Sequence, residues 1–189
     1  MHADNILADT TLIEHTRRWL EEVVIGLNLC PFARRPLQAG QIHFEVTHAT
    51  DAGTLLTDLH LALTALDNNT AIDTTLLIIP RMLADFEDYN DFLSLCDALL
   101  ERFEWEGVYQ VASFHPHYQF EDTEPEDAEN RTNRSPWPML HLLREDSVSE
   151  ALAHYPDPEQ IPQRNITRMR ALTETELARL DALQAQPST

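Results

Sequence analysis

Cys30 stands in the segment Leu27-Asn-Leu-Cys-Pro-Phe-Ala-Arg-Arg35, with two arginines four and five residues downstream. Neighbouring guanidinium groups lower a thiol's pKa and raise its thiolate fraction, which suits a nucleophile or a metal ligand. The competing reading is a buried apolar cysteine, and Cys96, on the inward stripe of a helix, reads that way outright. His115 lies in Ser113-Phe-His-Pro-His117-Tyr118, where a strand ends, and is the leading candidate for a site residue. If the chain stays extended through Pro116, His115 and His117 project to one side, a spacing that suits two ligands of one metal ion. Taken alone, His117 reads rather as a solvated loop residue. Asp127, Asn130, Asn133, Arg134 and Ser135 form a polar block ahead of Pro136-Trp-Pro-Met-Leu-His141. If a helix opens at Pro138, Ser135 can cap it, its free N–H groups favour an anion, and Arg134 adds a bidentate clamp for carboxylate or phosphate. Pairing of Arg134 with the acidic run beside it is the alternative. On that helix His141 and Arg144 lie one turn apart and face one cleft, unless His141 is a satisfied core histidine.

The elements that must position these residues follow from periodicity. Thr11-Leu-Ile-Glu14 is a capping-box pattern, and Leu12, Thr16, Trp19, Leu20, Val23, Val24 and Leu27 recur at helical spacing, predicting a helix over about 12–27. Ile42, Phe44 and Val46 alternate with polar residues as in a half-buried strand near a sheet edge. Leu55 to Leu66 predicts a second helix, ending at Asn68-Asn69. Leu76-Leu-Ile-Ile79 is apolar without alternation and stops at Pro80, the pattern of a strand covered on both faces at the sheet centre. Tyr89 to Phe103 predicts a third helix and Val108–Phe114 a third strand. Strands alternating with helices imply an α/β fold: a small, mainly parallel sheet of about three or four strands with crossover helices and a helical C-terminal part. From Gln119 to Trp137 no apolar period exists, and an acidic loop is expected over about 119–135. Further helices are expected from Pro138 through Leu143, after Asp146, from Asp157-Pro158, and from the capping box Thr173-Glu-Thr-Glu176, with a frayed end from Gln184. The whole chain, 1–189, reads as one domain with an ordered core over about 10–184.

Composition removes several chemistries. All 13 basic residues are arginine, so Schiff-base, pyridoxal-phosphate and P-loop lysines are excluded. Four dispersed glycines make no phosphate loop of either nucleotide or dinucleotide type. With 32 acidic residues and a net charge of −19, the chain lacks the cationic surface that nucleic acids and anionic membranes require. The apolar runs are too short to span a bilayer, and Met1-His-Ala-Asp4 starts no signal sequence, so a cytoplasmic location is expected. Two cysteines without CxxC spacing provide neither a disulfide framework nor a four-cysteine zinc site.

Together, Leu27-Asn-Leu-Cys-Pro-Phe-Ala33, Ser113-Phe-His-Pro116, Tyr118-Gln-Phe120, Asp127, Thr132-Asn-Arg-Ser-Pro136 and Met139-Leu-His-Leu-Leu-Arg-Glu145 resemble the mainly bacterial family called domain of unknown function 1415. The resemblance extends through Tyr155-Pro-Asp-Pro-Glu-Gln-Ile-Pro162. It implies that Cys30, His115, Asp127, Asn133, Arg134, Ser135 and His141 match signature segments; His117 does not. The family brings no activity, cofactor or catalytic residue with it.

Three readings follow. In the first, Cys30 attacks an acyl-type carbon, His115 or His141 is the general base, Asp127 or Asn133 orients the imidazole, and Arg134, Ser135 and Arg144 hold an anionic small molecule for hydrolysis or acyl transfer. In the second, Cys30, His115 and His141 or Asp127 bind zinc or iron. In the third, the chain is a non-catalytic acidic adaptor whose 119–129 loop binds a basic partner. Neither nucleic acid nor membrane is expected as a partner.

Overall fold

The computed structural model describes residues 2–186. Helix α1 (His2–Trp19) runs straight into a π-helical turn, Leu20–Ile25, and a short α2 (Arg34–Gln38) follows. Thr11 therefore lies inside a helix and is not its N-cap. Thr16, a polar residue on the apolar stripe, satisfies its hydroxyl by donating to the Leu12 carbonyl at 2.8 Å. The wide π turn dictates Gly26, because a Cβ there would sit 2.1 Å from the Glu22 carbonyl oxygen.

Strand β1 (Ile42–Val46), helix α3 (Ala52–Asn68) and strand β2 (Thr74–Ile78) form a parallel crossover unit, in which Phe44 stands beside Leu76. Asp51 caps α3 by accepting from the Thr54 N–H at 2.9 Å. Helix α4 (Phe86–Arg102), capped by Asp85, leads to strand β3 (Tyr109–Phe114). Beyond the acidic segment come β4 (Met139–Arg144), α5 (Glu145–Ala153), α6 (Ile161–Arg170) and α7 (Glu174–Gln184). The capping box at Thr173–Glu176 is present as expected. Of the expected frayed end, Gln184 closes α7, and Pro187 to Thr189, like Met1, lie outside the described residues.

The strand order is β1-β2-β4-β3, and β4 is antiparallel to both of its neighbours. The sheet is therefore mixed, not mainly parallel, and the expected helix from Pro138 through Leu143 is this fourth strand. The reason is physical. Met139-Leu-His-Leu-Leu143 is too short and too uniformly apolar for its period to separate strand from buried helix. Between β2 and β3 it buries side chains on both faces, Leu140 and Leu142 in the cluster under α3 and α4 and Met139 in the cluster under α1.

One face of the sheet packs against α3 and α4, and the other against α1, its π turn, α6 and α7. Because β4 is a strand, His141 and Arg144 project to opposite faces and share no cleft. Arg144 instead donates to the carbonyls of Leu66 and Asn69 at the end of α3 and to that of Ile72, and it reaches the Tyr109 hydroxyl at 3.4 Å. Its charge sits where the α3 dipole is negative. It is a clamp between β4 and α3, not the ligand-binding residue expected.

Strands β1, β2 and β3 all end, and β4 begins, at one edge of the sheet. The Ile79 N–H donates to the Pro138 carbonyl at 2.9 Å and the Thr47 N–H to that of Ile78 at 3.0 Å, which ties this edge together. The long loop from β3 to β4 leaves and returns here.

Candidate functional site

The loop between β3 and β4 is acidic but it is built. Asn130, fully buried, accepts from the Phe120 N–H and the Thr123 hydroxyl, both at 2.9 Å, and donates to the Glu124 carbonyl at 2.7 Å. Asp127 accepts from the Glu124 N–H at 2.9 Å. Asn133 donates to the Ser113 carbonyl at 3.3 Å and through its own carbonyl receives the His115 N–H at 3.2 Å. Ser135 is buried and gives its hydroxyl hydrogen to the Trp137 carbonyl at 2.6 Å. It caps no helix, because the expected helix is β4. Asp127 and Asn133 therefore hold backbone, and neither orients an imidazole.

His115 is wholly buried among the rings of Phe86, Tyr89 and His117. Its Nδ1 accepts from the His117 N–H at 3.0 Å, so the proton resides on Nε2, which donates to the Leu83 carbonyl at 3.0 Å. Leu83 holds a left-handed φ of 57°, a cost that the bond to His115 helps to offset. Burial holds the imidazole below its ordinary pKa. With both nitrogens engaged, His115 has no lone pair to offer as a base or to a metal.

His141 lies on the α1 face, in register with Leu76 and Ala112 and 6.1 Å from the Phe114 ring. The Thr74 hydroxyl spends its hydrogen on the Leu142 carbonyl at 2.6 Å, so at 2.7 Å it accepts from His141 Nε2. Burial lowers the His141 pKa to about 4.

Cys30 packs with the α1 face cluster, whereas His115 packs with Phe86 and Tyr89 on the other side of the sheet. Burial pushes its thiol up, only partly opposed by the Phe32 and Ala33 N–H groups. Arg34 and Arg35 are exposed and take no part, so the expected thiolate activation is absent. Alkylation of Cys30 by iodoacetamide at pH 7.5, followed by peptide mapping, is expected to run about tenfold slower than that of an unstructured cysteine peptide. A rate at or above the peptide's would contradict this placement. Among the described residues, no group of three His, Cys, Asp or Glu side chains could hold a metal ion, so Cys30, His115 and His141 are not a ligand set.

What the loop does expose is Arg134. Its Nε reaches the Tyr118 carbonyl at 3.3 Å and an Nη the Pro125 carbonyl at 2.6 Å. Its own carbonyl accepts from Trp19 Nε1 at 3.2 Å and from Gln184 at 2.9 Å, which fixes the backbone beneath it. Two adjoining clefts, about 360 and 450 Å³, share Ala84, His117 and Arg134. One runs over Pro116 and Pro138 to the end of α7 at Gln184–Gln186, and the other over Phe86 and Glu87 at the start of α4. Asp85, on the second cleft, already caps α4 by accepting from the Glu87 and Asp88 N–H groups, and Asp181, on the first, pairs with Arg131 at 3.3 Å. Among the described residues no carboxylate pairs with Arg134. The clefts open on the strand-end edge where ligands of α/β sheets usually bind.

A family model described as "Protein of unknown function (DUF1415)" matches residues 11–179. The chain belongs to that family. No curated protein and no solved structure matches it. In the DUF1415 chain the loop that carries Asp127, Asn133, Arg134 and Ser135 is a folded feature, and of its two arginines Arg134 is the one that lines both clefts. His117 is the exposed loop residue expected, and it lines both clefts; the contributions of α4's start and α7's end carry no motif. The signals that existed were the cap Asp85-Phe-Glu-Asp88 and the proximity of His117 to His115. No helix among the described residues is long and apolar enough to cross a membrane.

Proposed function

We propose that this protein binds a small anionic molecule in the paired clefts, with Arg134 as the anion's anchor and His117 beside it. The observation that carries the reading is the partly buried Arg134 guanidinium with no carboxylate partner, in a chain that holds 32 acidic residues against 13 arginines. Burial works against its charge, yet arginine does not give up its proton in this setting. Two carbonyl partners satisfy part of the fork, and the Asp181 and Glu126 carboxylates act on its charge without contacting it; a carboxylate or phosphate would add direct bidentate contact. If the ligand is hydrolysed or its acyl group transferred, the proton-transfer group this site offers is the exposed His117 imidazole, not Cys30 or His115.

The test is thermal unfolding of the wild type and Arg134→Gln with a panel of small carboxylates, inorganic phosphate and phosphate monoesters. At least one class is expected to raise the wild-type Tm progressively, as a ligand of the folded state must, and to leave Arg134→Gln unmoved. No response from any anion, or an equal response from the variant, would overturn the reading.

A further inference from the structure

The outer edge of β1 is open, and backbone alternation fixes which groups it presents. The Gln41 carbonyl accepts from the Asp73 and Thr74 N–H groups and the Thr47 N–H donates to Ile78, so residues 41, 43, 45 and 47 turn their peptide groups toward β2. Ile42, Phe44 and Val46 therefore turn theirs outward. Among the described residues no backbone group of the chain pairs with them. At the opposite edge of the sheet, by contrast, the Asn133 side chain occupies the Ser113 carbonyl of β3.

The strand is also self-complementary. If two β1 strands lie antiparallel about a twofold axis at Phe44, Phe44 meets its own counterpart and Ile42 meets Val46, all at the hydrogen-bonded positions. His43 then meets Glu45 at the intervening positions, where side chains stand closest. Both polar side chains lie on the α3 face, where the Asp58 charge reaches Glu45. Leu61, one turn along α3 from Asp58, is 56% exposed on that flank. His43 and Glu45 already stand 3.8 Å apart on one strand, so in the pair each meets the same kind of partner from the second copy. An unsatisfied edge, a palindromic pattern of apolar and imidazole–carboxylate pairs, and an exposed leucine beside it converge on one occupant. We infer that β1 pairs with β1 of a second copy of this chain, joining two four-stranded sheets into one across an isologous interface.

Sedimentation equilibrium of the full chain at 0.15 M salt tests this, since most repulsion between the two acidic copies is screened there. The wild type is expected at twice 21.7 kDa. His43→Glu sets a carboxylate against Glu45 of the second copy twice per dimer and is expected to raise the dissociation constant roughly tenfold. The double variant His43→Glu/Glu45→Arg restores opposite charges and is expected to recover the wild-type constant. Val46→Pro removes an outward N–H without touching the ladder to β2 and is expected to give monomer, with far-UV circular dichroism confirming that it folds. A wild type that stays monomeric up to its solubility limit overturns the inference, and means that His43 and Glu45 guard the edge. A dimer indifferent to His43→Glu, or one that the double variant fails to rescue, overturns it equally.

Discussion

Replacing His115 by alanine is expected to cost about 3 kcal/mol of folding stability. The imidazole is fully buried, both of its nitrogens are bonded, and three aromatic rings pack around it. Its loss leaves the part-buried Leu83 carbonyl and His117 N–H without their partner and opens a cavity between α4 and the β3–β4 loop. Each of these penalties is on the order of 1–3 kcal/mol. For a chain of this size the melting temperature should fall by roughly 6–12 °C. Chemical denaturation of His115→Ala beside Tyr118→Phe measures it. A loss below about 1 kcal/mol would show that His115 is not the structural residue its bonds describe, since ordinary surface substitutions fall within that range.

Acid should weaken the fold well before its carboxylates protonate, and His141 is the main reason. Its pKa is lowered from 6.5 to about 4 by burial, so between those values the unfolded chain binds a proton that the folded chain refuses. Where the unfolded state binds more protons, stability rises with pH. The contribution is therefore intact above pH 6.5 and is lost as the pH falls toward 4, amounting to up to about 3 kcal/mol. His115, shifted down by the same cause, adds in the same direction. Urea unfolding at pH 7 and pH 4.5 is expected to show about 2 kcal/mol less of this loss in His141→Gln, whose amide can still donate to Thr74. Equal pH sensitivity in the variant and the wild type would contradict the burial of a neutral imidazole.

Most of the fold was written in local pattern. The alternation of Ile42, Phe44 and Val46, the unbroken apolar run at Leu76–Ile79 and the capping box at Thr173–Glu176 announce elements that form where expected. Two elements differ: α1 already runs from His2, ahead of the pattern at Thr11–Glu14, and β4 is a strand because Pro138 followed by Met-Leu-His-Leu-Leu143 satisfies a helix start and a doubly covered strand equally well, and only long-range pairing with β2 and β3 decides. Reading β4 as a helix carried other errors with it. It made a helix N-terminus at Ser135 and put His141 and Arg144 on one face.

The site was legible in part. Arg134 and the strand-end position were indicated by residue type and place, and the bonded role of His115 was not, because Leu83 and His117, which occupy its nitrogens, are brought there by backbone geometry that no spacing encodes. Arg34 and Arg35 are near Cys30 in sequence, which suggests activation, yet in the fold those side chains are exposed while the thiol is half-buried against the α1 face cluster.

The most direct test of the anion-binding account is a titration of the protein with inorganic phosphate, following the His117 imidazole resonances by NMR at fixed pH and ionic strength. A saturable shift of the His117 signals in the wild type, absent in Arg134→Gln while the resonances of the buried His115 and the half-buried His141 stay in place, is the predicted result. No shift at His117, or the same shift in both proteins, would contradict it.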